Sequence, residues 1–246
     1  MPLDLGGNRV LTSGVTEHGN YIHRISRDGI RVYLDAYNTN SYQGGTSTWY
    51  DMSGYDNDCN WNSAPTWTSP GYFAFNGSTN YGTITMNSSL DTKEAQTLIM
   101  VLKRTASTKR ENPWNQHYGG YGTWTAEIAS TMNMFYGNHG ANSTPYAQVT
   151  TGVLTDNQWY FVARTRAMDA DRNGHQQYAY VNGVQTVYNR YSWGGPLGTD
   201  TGNISIGDGY TSNYTGHISM VLMYNRRLHP HEIAETFQSV RGRYGL

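Results

Sequence analysis

The chain predicts an all-β protein, an antiparallel β-sandwich closed by one short C-terminal helix. Three observations predict it. Apolar residues recur at every second position in several short runs. The composition, Gly 28 and Tyr 21 with 14% charged residues, suits strands joined by tight turns. Only the C-terminal end carries a convincing helical period. A chain of 246 residues can bury about three-quarters of its unfolded surface, and all-β sandwiches of this length are commonly one domain.

Taken in order, residues 1–28 show little period beyond Tyr21-Ile22-His23-Arg24-Ile25, and Gly6-Gly7-Asn8 and Ser13-Gly14 interrupt it. They are read as an N-terminal arm or edge strand, lying on their own sheet or reaching a neighbouring subunit. Residues 29–246 are read as the sandwich. Ile30, Val32 and Leu34 alternate with Arg31, Tyr33 and Asp35; Trp159, Phe161 and Ala163 alternate with Tyr160, Val162 and Arg164. A period of two predicts one buried and one wetted face. Leu98 to Leu102 and Met220 to Tyr224 have no polar phase, which predicts two central strands. Pro230 suits a first helical turn, where its missing N–H costs nothing. Ile233, Phe237, Val240 and Tyr244 then form one apolar stripe, and Glu232 and Glu235 favour the helix N-terminus.

Several segments together resemble a known family. They are Gly29-Ile30-Arg31-Val32-Tyr33-Leu34-Asp35-Ala36, Thr48-Trp49-Tyr50-Asp51-Met52-Ser53-Gly54, Phe73-Ala74-Phe75-Asn76-Gly77, Trp159 to Ala163, Tyr180-Val181-Asn182-Gly183-Val184, Ile204-Ser205-Ile206-Gly207, and Tyr224-Asn225-Arg226-Arg227-Leu228 running into the helix. Their order is similar to that of laminin-G-like, concanavalin-A-like jelly-roll domains. The Gly6-Gly7-Asn8 leader and the Arg241-Gly242-Arg243-Tyr244-Gly245 finish are similar to structural proteins of tailed bacteriophage particles. Relatives place Ser or Thr where this chain has His229, a departure expected to weaken the helix start by about 1 kcal/mol unless the ring bonds a backbone N–H.

Charge and apolar runs exclude several partners. A net charge of −1 argues against nucleic acid or an anionic membrane, since either needs a basic patch. The longest apolar runs are too short to span a bilayer, and the N-terminus has neither the basic start nor the apolar core of a signal peptide. Folding in a cytoplasm is expected. Cys59, the single cysteine, excludes an intrachain disulfide and reads as an incidental thiol in a polar loop.

A glycosidase needs two carboxyl groups facing each other across a sugar. The glutamates are Glu17, Glu94, Glu111, Glu127, Glu232 and Glu235, and none falls in the alternating acidic run of the jelly-roll glucanases. Only Glu127 lies on a plausible strand. A lyase needs Arg, His and Tyr on one concave sheet; Arg164, Arg166, His175, Tyr178 and Tyr180 could meet, but spacing does not show that they do. Gly-x-Ser-x-Gly and His-Glu-x-x-His are absent. The chain is therefore expected not to be an enzyme.

Asp169-Ala170-Asp171-Arg172-Asn173-Gly174 has the start of a calcium loop, with Asp169, Asp171 and Asn173 as candidate ligands. The closing acid is missing, because the twelfth position is Tyr180. The competing reading is a hairpin tip, which wants the same residue types and is the stronger of the two. Asp51, Asp56 and Asp58 form a second cluster open to calcium or to Asx turns. The expected cofactor is none, or Ca2+.

Aromatic loops carry the remaining signal. Trp114, Tyr118, Tyr121 and Trp124 lie among glycines and amides, and Trp193 and Tyr210 occupy similar loops. Such rings suit the C–H face of a sugar, a wet subunit interface, or capping of the sandwich ends. The expected function is that of a non-catalytic virion component, either capsid decoration or tail fibre. It would bind neighbouring virion proteins, with surface glycans as a further candidate partner, form a homo-oligomer, and assemble in the host cytoplasm. The alternative is a carbohydrate-active enzyme of glucanase or lyase type.

Overall fold

A computed structural model describes residues 24–105, 110–116, 123–128, 131–137, 146–192, 201–209 and 212–246, with the backbone alone at 110, 123–128, 131–137, 146–150, 152 and 153. Among them, two antiparallel sheets form the expected sandwich. One sheet runs Val184–Tyr191, His175–Val181, Trp159–Met168, Ala95–Arg104, Thr215–Tyr224, Tyr72–Asn76 and Thr66–Thr68. The other runs Tyr146–Val153, Thr131–Gly137, Thr123–Ile128, Trp114–Gln116, Ile204–Ile206, Tyr81–Ile84, Cys59–Ser63 and Thr48–Trp49, with Arg110–Glu111 beside Thr123–Ile128.

The two runs without a polar phase pair with each other at the centre of the first sheet, Leu222 opposite Ile99 and Val221 opposite Met100. Both faces of this pair are covered. Leu98, Met100, Leu102, Val221 and Met223 meet the second sheet, while Ile99, Val101, Leu222 and Tyr224 meet the Pro230–Val240 helix through Ile233, Phe237 and Val240. Double cover also corrects the expectation of a wetted phase: Tyr33, Asp35, Val162 and Arg164 are all buried. Ile30 and Val32, expected on one face, belong to different cores because the register slips between them. Cys59 is likewise no loop residue. It opens a strand with its side chain in the core, where burial pushes its thiol pKa up, and Gly82 on the neighbouring strand, opposite Trp61, leaves room for it: a Cβ there would lie 2.4 Å from Sγ.

Ser219 marks a change of partner. It is the extra residue of a bulge between Ile218 and Met220. Before it the strand pairs with Tyr72–Asn76, and after it with Ile30–Asp35. Its carbonyl accepts the Ala36 N–H at 2.8 Å, and its hydroxyl donates to the Gly71 carbonyl and lies 2.8 Å from the Tyr244 hydroxyl. Gly71 must be glycine, since a Cβ would sit 2.2 Å from Tyr37 Cα.

Two ion pairs fix the helix. Arg243, just beyond it, donates to Asp35 at 2.7 Å; burial pushes the Asp35 carboxyl up, and the guanidinium opposes that rise. At the other end Glu232 accepts from Arg226 at 2.6 and 2.9 Å and from the His229 N–H at 2.9 Å. Glu232 thus supplies one half of a capping box where a hydroxyl cap was missing. Of the arm, residues 1–23 lie outside the described residues. Residues 24–29 form no strand; there the Ser26 carbonyl accepts from the Tyr224 hydroxyl at 3.1 Å.

The helix clamp predicts an acid limb. The hydrogen bonds from Arg226 hold the Glu232 carboxyl at about 2, below its ordinary 4.5. A depressed carboxyl stabilises fully above its unfolded value and loses that stabilisation as pH falls towards the folded one. After allowance for solvent screening, the contribution at pH 7 is about 1 kcal/mol. Glu232→Gln should therefore lower the urea midpoint at pH 7 and match the parent near pH 2. An equal deficit at both pH values would contradict the pair.

Candidate binding surface

The aromatic residues named from sequence do not form one surface. Trp114 is fully buried and belongs to the core between the sheets, so its ring is not offered to a ligand. It stands on the Trp114–Gln116 strand opposite Ile206, which corrects the reading of this segment as loop. Trp124 stands on the Thr123–Ile128 strand opposite Asn115 and Phe135, and its side chain lies outside the description. Tyr118, Tyr121, Trp193 and Tyr210 lie outside the described residues.

The Asp169–Gly174 segment is the tip of the hairpin whose last pair is Met168 and His175. The Asp169 N–H donates to the Gly174 carbonyl at 2.8 Å, and the Arg172 N–H to the Asp169 carbonyl at 3.0 Å. Asp169 Oδ2 receives Arg190 Nε at 2.7 Å and Nη2 at 2.6 Å. Asp171 accepts the Asn173 N–H at 3.1 Å, which holds its carboxyl below the usual range, and Arg172 pairs with Glu94 at 2.9 Å. The Arg190 guanidinium thus takes the Asp169 Oδ2 that a cation loop would turn to its ion, while the Arg172 guanidinium turns away to Glu94. Among the described residues no three His, Cys, Asp or Glu are grouped to hold a metal. The hydrogen bonds and the Arg190 pair are those of a salt-bridged turn, with Asp169 Oδ1 buried and unpaired.

Asp51 is also spent on structure. Its Oδ1 accepts the Tyr33 and Ser53 N–H groups at 2.7 and 2.9 Å, and its Oδ2 accepts the Ser53 hydroxyl at 2.5 Å and the Asn57 N–H at 3.1 Å. Asp58 accepts the Asp51 N–H at 2.7 Å. Four donors on one carboxylate fasten this loop to the first strand.

Among the glutamates, Glu94 and Glu232 are ion-paired. Glu235 rides the helix, and Glu17 lies outside the described residues. Glu111 sits on the short Arg110–Glu111 strand, which two residues without alternation could not announce. It is buried and accepts the Thr215 N–H at 3.1 Å and its hydroxyl at 2.7 Å. Glu127 stands directly opposite it.

The proposed Arg–His–Tyr cluster is divided by the pleat. Arg164, Arg166, His175 and Gln177 are buried on the inner face. Arg164 donates to Gln96 Oε1 at 2.5 Å; Arg166 donates to the Lys93 carbonyl at 3.1 Å, to the Thr92 carbonyl, and lies 3.3 Å from His175 Nδ1. Tyr180 belongs to the outer, helix-side core, with Tyr178 packed against it. Alternation along Trp159–Met168 and His175–Val181 therefore puts Tyr178 and Tyr180 on the opposite face from Arg164, Arg166 and His175.

Sequence reasoning missed a row on the outer face. Register places Thr66, Ala74, His217, Lys103 and Trp159 side by side across five neighbouring strands, with Tyr72 one step from Ala74 on the same face. Tyr72 meets His217 and Trp159 edge-on at 4.9 and 5.5 Å between ring centroids. Tyr244 backs Trp159 at 5.1 Å. The Lys103 ammonium stands 5.8 Å from the Tyr72 ring and 5.5 Å from the Trp159 ring. Thr66 is exposed, and the other side chains named are half-buried. Burial, followed by the charge of Lys103, holds the His217 pKa below its ordinary value. Each residue sits in a strand pattern that reads as ordinary packing, and only the cross-strand register unites them.

The hairpin geometry makes a direct prediction about calcium. Asp169→Asn should cost about 1 kcal/mol through loss of the Arg190 pair, equally with and without calcium. The parent Tm should be the same in excess chelator and in millimolar calcium. A calcium-dependent rise that Asp169→Asn abolishes would contradict this assignment.

Residues 76–234 match the family described as the concanavalin A-like lectin/glucanases superfamily, in its laminin G form. No curated protein matches the chain. Among solved structures, the receptor binding domain of botulinum neurotoxin C/D mosaic serotype superposes with a TM-score of 0.68 at 14% identity, covering 87% of this chain and 52% of that one. The binding domain of Paraclostridial Mosquitocidal Protein 1 gives 0.67 at 11%, covering 87% and 52%. The botulinum neurotoxin serotype D ligand binding domain, in complex with N-acetylneuraminic acid, gives 0.66 at 13%, covering 86% and 51%. The chain thus spans about half the length of these solved chains, and at such identities the likeness is one of fold. With most of the chain inside the family match and both sheets in place, the protein belongs to the concanavalin A-like lectin/glucanase superfamily.

Proposed function

We propose that this protein is a non-catalytic, glycan-binding component of a tailed-bacteriophage particle, placed as capsid decoration or in a tail fibre. It assembles in the host cytoplasm, contacts neighbouring virion proteins and forms a homo-oligomer. The virion assignment is supported by the sequence resemblance of its two ends. The observation that carries binding without cleavage is the use of carboxylates as structural bolts: Asp35, Asp51, Asp169, Glu94, Glu111 and Glu232 all hold strands, loops or the helix in place. Hydrolysis of a glycoside would need two acids facing a sugar with their oxygens available. The solved neurotoxin domain in complex with N-acetylneuraminic acid supports a sugar as ligand class for this fold.

A second reading, a carbohydrate-active enzyme, is favoured by one observation, the cross-strand pairing of Glu127 with Glu111. The engagement of both Glu111 oxygens by Thr215 speaks against it. Affinity electrophoresis through a panel of polysaccharides should retard the protein while the gel releases no oligosaccharides. Released oligosaccharides that disappear in Glu127→Gln would establish the enzyme. Mass spectrometry of purified virions should find the chain in intact particles, and its absence from them would overturn the virion assignment.

A further inference from the structure

The end of the outer sheet face at Lys103 and Trp159 has the make-up of a site. Trp159, Tyr72 and His217, each half-buried, set their rings in one row, carried on strands and not on loops. Rigid aromatic area of this kind takes the C–H face of a pyranose at little entropic cost. Between the rings stands Lys103, whose ammonium has no carboxylate or hydrogen-bond partner among the described residues. Elsewhere in the molecule Arg190, Arg226 and Arg243 are each matched to an acid. A cation between two rings, half-buried and without a counter-ion among the described residues, is complementary to an anion that brings an apolar face with it. The Tyr72 hydroxyl and the Trp159 indole N–H are likewise without partners among the described residues, and both can donate to or share hydrogen bonds with ring hydroxyls.

We propose that this row, Tyr72, Lys103, Trp159 and His217, binds a carboxylated sugar, with Lys103 on the carboxylate and Trp159 and Tyr72 against the ring. Tyr244 acts as a positioning residue. Its ring backs Trp159, and its hydroxyl is fixed by Ser219 at the bulge. The site rests on the glycan-binding reading above and deepens it. It differs from the loop residues read from sequence, because all its members stand on the sheet or against it.

The test is calorimetric titration of the whole protein with 3′-sialyllactose and with tri-galacturonic acid, each against neutral lactose, repeated for Lys103→Gln, Tyr72→Ala and Trp159→Ala. Binding of at least one acidic sugar is expected, with at least tenfold loss in Lys103→Gln and in Trp159→Ala, and with lactose at least tenfold weaker. Trp159 touches the core, so Lys103→Gln and Tyr72→Ala, with unchanged circular dichroism and Tm, serve if Trp159→Ala fails to fold. Acidic-sugar binding that all the variants retain would overturn the site and leave the glycan-binding reading standing. Equal binding of lactose would overturn the carboxylate class. No binding of these sugars would overturn the site, and retardation in the polysaccharide gels would then show whether glycan binding itself survives.

Discussion

A strand pair that must be dry on both faces organises this molecule. Ala95–Arg104 and Thr215–Tyr224 carry apolar side chains in both phases, and a sheet exposing either phase to water would lose roughly 1.5–3 kcal/mol for each large side chain left uncovered. The second sheet covers one face. The C-terminal helix covers the other, which is why Ile233, Phe237 and Val240 point inward and why its ends are clamped by Arg226–Glu232 and Arg243–Asp35. The bulge at Ser219 then lets one strand serve two neighbours, with Gly71 allowing the close approach.

The same constraint bears on the half-buried row. An eleven-residue helix reaches about 16 Å, less than the span of the sheet beneath it. It covers the end of the strands that holds Ile99, Phe161, Leu222 and Tyr224. The other end, at Lys103, Trp159 and His217, has no helix over it among the described residues, and there the side chains become half-buried rings and a cation. Fold and candidate site are thus two results of one mismatch in length.

Much of the architecture was legible because it rests on periodicity. The central strands, the closing helix with its stripe, and the hairpin at Asp169–Gly174 all follow from local pattern. What was not legible depended on register or on cover from afar. Arg164 reads as a wetted residue until the second sheet is placed over it. Trp114 and Cys59 read as loop residues because their strands are too short or too polar to show alternation. Asp169 and Asp171 look like ion ligands until Arg190, nineteen or more positions away, arrives across the hairpin. The row of Tyr72, Lys103, Trp159 and His217 is drawn from four strands, and no window of sequence contains it.

Hydrogen–deuterium exchange tests double cover most directly. Amides of residues 97–101 and 220–224, beneath the helix, should exchange slowest in the protein and only through global unfolding, while those of the edge strand Val184–Tyr191 exchange through local opening. Exchange of the central pair as fast as that of the edge strand would contradict a sheet buried on both sides, and with it the helix-bounded site.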